Sequence, residues 1–169
     1  EDATLYEASE SVNSGLDEII EVLKSVDDAG VSVDVSRIVM SFDLNELSSS
    51  VSRAGVASTA KYYLNLYDAG SVGLSVSQSL YAYPVSQSWV MGNGKQSYNP
   101  KVTEGVSWGY RTGVNEQFFW HGGIIDTGGT WFSGSGYRAS QSFQHTDTQL
   151  DMRMNVTDIV NKWLEGTIP

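Results

Sequence analysis

Hydrophobic and polar residues alternate along several stretches of this chain with a period of two. In Arg37–Leu44, Ile38, Met40, Phe42 and Leu44 fall on one side, with Arg37, Ser41 and Asp43 opposite. Successive side chains of a strand point to opposite faces, so the pattern predicts a half-buried strand. The run Ala60–Tyr67 repeats it with Ala60, Tyr62, Leu64 and Leu66 as the inner set, and Asp68-Ala69-Gly70-Ser71 reads as the turn that follows. Ser79–Val85 predicts a third strand, rich in aromatic side chains, and Leu150–Val156 a fourth of clean alternation. Pro84 has no N–H to give a ladder and belongs at an edge, a bulge or its strand's end. The class expected is all-β, with an antiparallel sheet laid against a core.

Helical spacing is scarce. Thr157 is placed to cap a short C-terminal helix, and Asp158 suits its first turn. Ile159, Val160, Trp163 and Leu164 share a face, and Gly166 ends the pattern. Burying Trp163 and Leu164 would contribute roughly 1.5–3 kcal/mol each. Leu16–Lys24 fits a helix through Leu16, Ile19, Ile20 and Leu23, or a strand through Ile19, Glu21 and Leu23 or through Ile20 and Val22. The surrounding strands tip that choice toward strand. From about Gly92 to Asp147 alternation gives way to Gly, Ser and aromatic residues, broken at Gly122-Gly123, Gly128-Gly129 and Gly134-Ser135-Gly136. Rings such as Trp108, Tyr110, Phe118, Phe119, Trp120, Trp131, Phe132, Tyr137 and Phe143 oppose disorder there. A few short strands with long ordered connections are expected.

Composition narrows the functions. The 169 residues suit one domain. Net charge is −10, from 20 acidic and 10 basic side chains, and no Lys/Arg cluster offers a local exception. Such a chain is repelled by nucleic acid and by anionic membrane surfaces, so neither is expected as a partner. The absence of cysteine excludes disulfide scaffolds, thiolate zinc sites and thiol catalysis. No apolar run approaches the ~20 residues of a membrane span. No basic start leads into an apolar stretch as in a signal peptide, although Glu1 is not an initiator and residues before it are expected.

Candidate chemistry is thin. Gly105-Val106-Ser107-Trp108-Gly109 spells the G-x-S-x-G nucleophile elbow, but an elbow needs a strand-to-helix turn in an α/β sheet, and no helical pattern follows. His121 and His145 have Asp126 and Asp147 nearby without metal-ligand spacing. Oxygen ligands for a structural calcium could come from Asp17, Glu18, Asp27 or Asp28, outside any EF-hand pattern. Gly92-Asn93-Gly94-Lys95 reads as a turn, not a phosphate loop, and Asn155-Val156-Thr157 spells a sequon at a strand-to-helix junction. No cofactor is expected, and the chain is read as non-enzymatic. The aromatic loops are the feature with a functional reading. Their rings can fill the ends of a sandwich, form a subunit interface or stack on a glycan. Trp120, His121 and Trp131, flanked by glycines, are the first choices for a partner or glycan surface at exposed loop tips.

Six segments resemble one family in order. Ser36–Leu44 is similar to the "R-x-L-x-x-F-D-L" strand of DNRLRE-type domains, and Val56–Tyr67 to their "V-x-x-A-x-L-x-L-Y" strand. Leu80-Tyr81-Ala82-Tyr83-Pro84-Val85 through Trp89 resembles "v-Y-x-V-x-x-x-W", and Gly105-Val106-Ser107-Trp108 resembles "g-V-T-W". Asn155–Gly166 resembles the closing "D-V-T-x-x-V-x-x-W-x-x-G", and Asp2–Tyr6 with Asn13-Ser14-Gly15 fits the opening. The spelling of "YPVSQSW" and "DIVNKWLEG" is similar to that in virion structural proteins of T4-like marine phages, including cyanophages. The resemblance implies a jelly-roll-like antiparallel β-sandwich over residues 1–169 with one short C-terminal helix, related in shape to carbohydrate-binding modules and without catalytic residues. Such domains continue into a last core strand after the helix, so a fragment of a longer chain is expected, or a neighbour that fills the slot. The function implied is a structural or adhesion component of a tailed-phage virion, tail-, fibre- or adhesin-associated. It would be made in the host cytoplasm and act outside the cell in many copies, against other virion proteins and a host-surface glycan. The alternative is a carbohydrate-binding module of a secreted or cell-surface protein.

Overall fold

A computed structural model describes all residues except 55–58, 71–73, 116–117, 121–127 and 169. Its strands are β1 (Asp2–Tyr6), β2 (Lys24–Val26), β3 (Ser32–Met40), β4 (Tyr63–Leu66), β5 (Gln78–Ala82), β6 (Ala139–Phe143) and β7 (Met152–Asn155). The helices are α1 (Leu44–Ala54) and α2 (Thr157–Leu164), with a 3-10 turn over Glu7–Ser9. Every strand pairing among the described residues is antiparallel, as the alternation predicts. The chain gathers into two compact units, each built from two segments: Glu1–Phe42 with Gln87–Thr130, and Asp43–Ser86 with Trp131–Pro169.

The first unit holds the sheet β1-β3-β2. Ala3, Thr4 and Leu5 are buried in succession, so β1 is covered on both faces. Its free edge is closed by a side chain: the Thr4 N–H donates to Ser14 Oγ at 2.9 Å, and that hydroxyl donates back to the Thr4 carbonyl at 2.6 Å. Among its described residues, the segment from Gln87 to Thr130 has the isolated bridges Glu104–Gly113 and Tyr110–Phe119 in place of a regular sheet. It is pinned at Asn13, which has no exposed surface. Asn13 Nδ2 donates to the carbonyls of Met91 and Val106 at 2.7 and 2.8 Å, while its Oδ1 accepts from the Gly94 N–H at 2.7 Å. Buried amides are retained when both ends are satisfied, as here. Gly105 lies against this knot with φ +103°, where a Cβ would come within 2.5 Å of the Gly92 Cα. The described residues between Gly92 and Thr130 are thus held by side-chain and isolated backbone bonds.

The second unit buries Ala139, Phe143, Met152, Met154 and Ile159 with Leu64, Leu66, Leu80, Ala82, Leu150, Val156 and Trp163 packed against them. β4 pairs with β7 in register Leu64–Met154, and β5 with β6 in register Leu80–Gln141. Gln141 joins the two pairs. Its Oε1 accepts from the Arg153 N–H at 2.8 Å and its Nε2 donates to the Asp151 carbonyl at 3.3 Å, standing in for one peptide unit of a neighbouring strand.

Several expectations need correction. The strand predicted over Arg37–Leu44 ends at Met40, Val39 is its buried residue, and Phe42 is 58 % exposed. The chain turns into α1 there because Asp43 Oδ1 accepts from the N–H groups of Asn45 and Glu46, which caps a helix whose Leu44, Leu47 and Val51 lie half-buried. The fold thus has a helix besides the C-terminal one. Leu16–Lys24 is neither helix nor strand until β2 opens at Lys24, for Ser36 Oγ and Thr4 Oγ1 bond the backbone of Glu21 and Leu23 in place of a ladder. Thr157 is the first residue of α2 and not its cap; its N–H and hydroxyl both donate to Asn155 Oδ1. The sequon spelling there records this local bond. Pro84 is buried just beyond the end of β5.

Candidate functional site

The residues singled out for a contact surface part company. Trp120 is fully buried, with its indole N–H donating to the Ser107 carbonyl at 2.9 Å. That overturns the expectation of an exposed loop tip: a ring this large gains most by complete burial once its one polar atom has a partner. His121, with Asp126, lies outside the described residues. Trp131 does reach the surface, at 42 % exposure.

Around Trp131 the second unit builds a row of rings. Period two along β5 and its extension turns Ser79, Tyr81 and Tyr83 away from Leu80 and Ala82, which face the core. Beyond β5 the chain leaves β6 and bridges Trp131 through Val85, and the Phe132 N–H donates to the Pro84 carbonyl at 2.9 Å. Tyr81 and Tyr83 stand 6.4 Å apart between ring centroids, and Tyr83 and Trp131 6.0 Å, with interplanar angles of 33° and 36°. Tyr81 is 54 % exposed. The guanidinium of Arg138, just before β6, lies 5.4 Å over the Tyr81 ring. Beside the rings the outer positions of β5 and β6 are hydroxyls: Tyr81 faces Ser140, and Ser79 faces Ser142 with their oxygens 2.8 Å apart. The surface thus combines flat apolar faces with small hydrogen-bonding groups. The signal for it in the sequence is the alternation of Leu80 and Ala82 with Tyr81 and Tyr83, on a strand and not in the Gly-flanked loops.

The remaining candidates are scattered. Ser107 is buried, its hydroxyl donates to the Glu10 carbonyl at 2.8 Å, and no helix follows it as an elbow requires. His145 is exposed, with its backbone N–H on Ser77 Oγ, and the Asp147 carboxylate accepts from the Gln144 N–H. Asp17 accepts from the Gln96 N–H, Asp27 from the N–H groups of Ala29 and Val31, and Glu18 pairs with Lys95. That pair holds the Glu18 carboxyl below its ordinary range, chiefly through the hydrogen bond from Lys95. Among the described residues no three His, Cys, Asp or Glu side chains gather as a metal site would need. No described helix is long and apolar enough to cross a membrane.

No family model, no curated protein and no solved structure matches the chain.

Proposed function

We propose that this chain is a non-enzymatic structural or adhesion component of a tailed-phage particle, tail-, fibre- or adhesin-associated, and that it acts through contacts between copies. The observation that carries the contact reading is a run of exposed apolar side chains in the first unit. Ile19, Val22, Val26, Val31 and Val33 are each at least 50 % exposed, on or beside the β2–β3 pair. β2 is the outer strand of its sheet, three residues long and interrupted by a bulge between Ser25 and Val26. That short, bulged edge discourages backbone pairing, but a cluster of exposed apolar side chains favours association with another chain, and a second copy is the occupant proposed. The phage setting, and the jelly-roll-like arrangement of the strands, come from the collinear motifs. Light scattering on the purified chain tests self-association: a concentration-dependent oligomer is expected, and Val31→Lys with Val33→Lys should return it to monomer. An unaltered chain that stays monomeric at all concentrations would refute contact between copies. Mass spectrometry of purified particles lacking the chain would refute the setting.

A carbohydrate-binding module is the second reading, favoured by the Tyr81–Tyr83–Trp131 row. Pyranose rings present flat C–H faces that stack on such rings, and serine hydroxyls complement their edges. Binding on a glycan array that disappears with Trp131→Ala, while the far-ultraviolet circular dichroism is retained, would support it.

A further inference from the structure

We propose that the aromatic row takes a short acidic oligosaccharide, one whose sugar face lies on Tyr83 and Trp131 and whose carboxylate is received by Arg138. This inference rests on the carbohydrate reading and specifies its ligand. Three observations support it. The chain is strongly acidic overall, yet both segments that build the row are free of acid: none occurs from Ala69 to Thr103 or from Thr127 to Thr146. The segments that carry the rings thus contribute no carboxylate of their own. Arg138 is exposed, and among the described residues its guanidinium meets the Tyr81 ring without a hydrogen bond or a carboxylate. A guanidinium lying over a ring keeps its N–H fork at the edge, where it matches the two oxygens of a carboxylate. The rings continue from Tyr81 through Tyr83 to Trp131 in steps of 6.4 and 6.0 Å, and the cation is seated on Tyr81, the first of them.

Ligand length follows from electrostatics. A long polyanion meets the net charge of −10 over many Debye lengths, whereas a trisaccharide at about 0.15 M salt is screened from charges more than ~8 Å away. The local cation then decides.

Isothermal titration of the purified chain with trigalacturonate and with neutral cellotriose tests this at about 0.15 M salt. Trigalacturonate should bind about tenfold or more tightly than cellotriose, as a charge-assisted pair implies. Arg138→Gln should erase that preference, Arg138→Lys should restore part of it, and Trp131→Ala should weaken both sugars. Equal binding of the two sugars, unmoved by Arg138→Gln, would overturn the acidic ligand and leave the carbohydrate reading standing. Failure to bind either sugar by the folded chain would overturn both.

Discussion

Asn13 shows how much one polar side chain can carry when it is fully enclosed. Its amide is shared among loops that have no ladder of their own, so its loss strands two carbonyls and an N–H in the interior. Each such group costs about 1–3 kcal/mol when left unsatisfied, so Asn13→Ala should remove about 3 kcal/mol or more, read as a lowered urea midpoint. Asn13→Asp should be no better, because a carboxylate would face two carbonyl oxygens where the amide donates. Tyr6 makes a different prediction. Burial, and then the Glu21 carboxylate that accepts its hydroxyl, push its pKa up to about 12. The unfolded phenol ionises near 10, so above that pH the folded chain holds a proton the unfolded chain has released. Stability must then fall between about pH 10 and 12, and Tyr6→Phe should flatten that part of the stability profile.

At the scale of elements, the ends of helices are more informative than their middles. Asp43-Leu44-Asn45-Glu46 has the spacing of a capping box, and Leu44, Leu47 and Val51 recur at helical intervals after it. The serines Ser48–Ser50 masked that signal, since Ser is a poor marker of helix interiors. Asp43→Ala should cost about 1 kcal/mol and lower the helical circular dichroism. At the other helix Gly166 was legible in advance. It adopts φ +68°, its N–H donates to the Trp163 carbonyl, and the Thr167 N–H donates to the Lys162 carbonyl, the paired bonds of a Schellman end. Gly166→Ala should cost about 1 kcal/mol by forcing a Cβ into left-handed backbone, visible as a lower thermal midpoint. The strands differ in legibility for the same local reason. β4 and β7 keep one face on the core and alternate cleanly, Met152 and Met154 buried against Leu64 and Leu66. β1 is covered on both sides, so Ala3-Thr4-Leu5 carries no period to read.

For the molecule as a whole, the net charge makes a plain prediction: fluorescence anisotropy with a DNA duplex should show no binding at about 0.15 M salt. Sequence alone determined that charge, the absence of thiol chemistry, the antiparallel strand class and the closing helix, because each depends on composition or on neighbours within a few residues. Only the tertiary structure decided which rings are covered. Trp120 and Trp131 each lie close to a pair of glycines in the sequence, yet the Ser107 carbonyl waits beside one indole while the other bridges Val85 at the surface. Exposure depends on what the rest of the chain brings up to a residue, and that is a matter of long-range packing which local spacing does not encode.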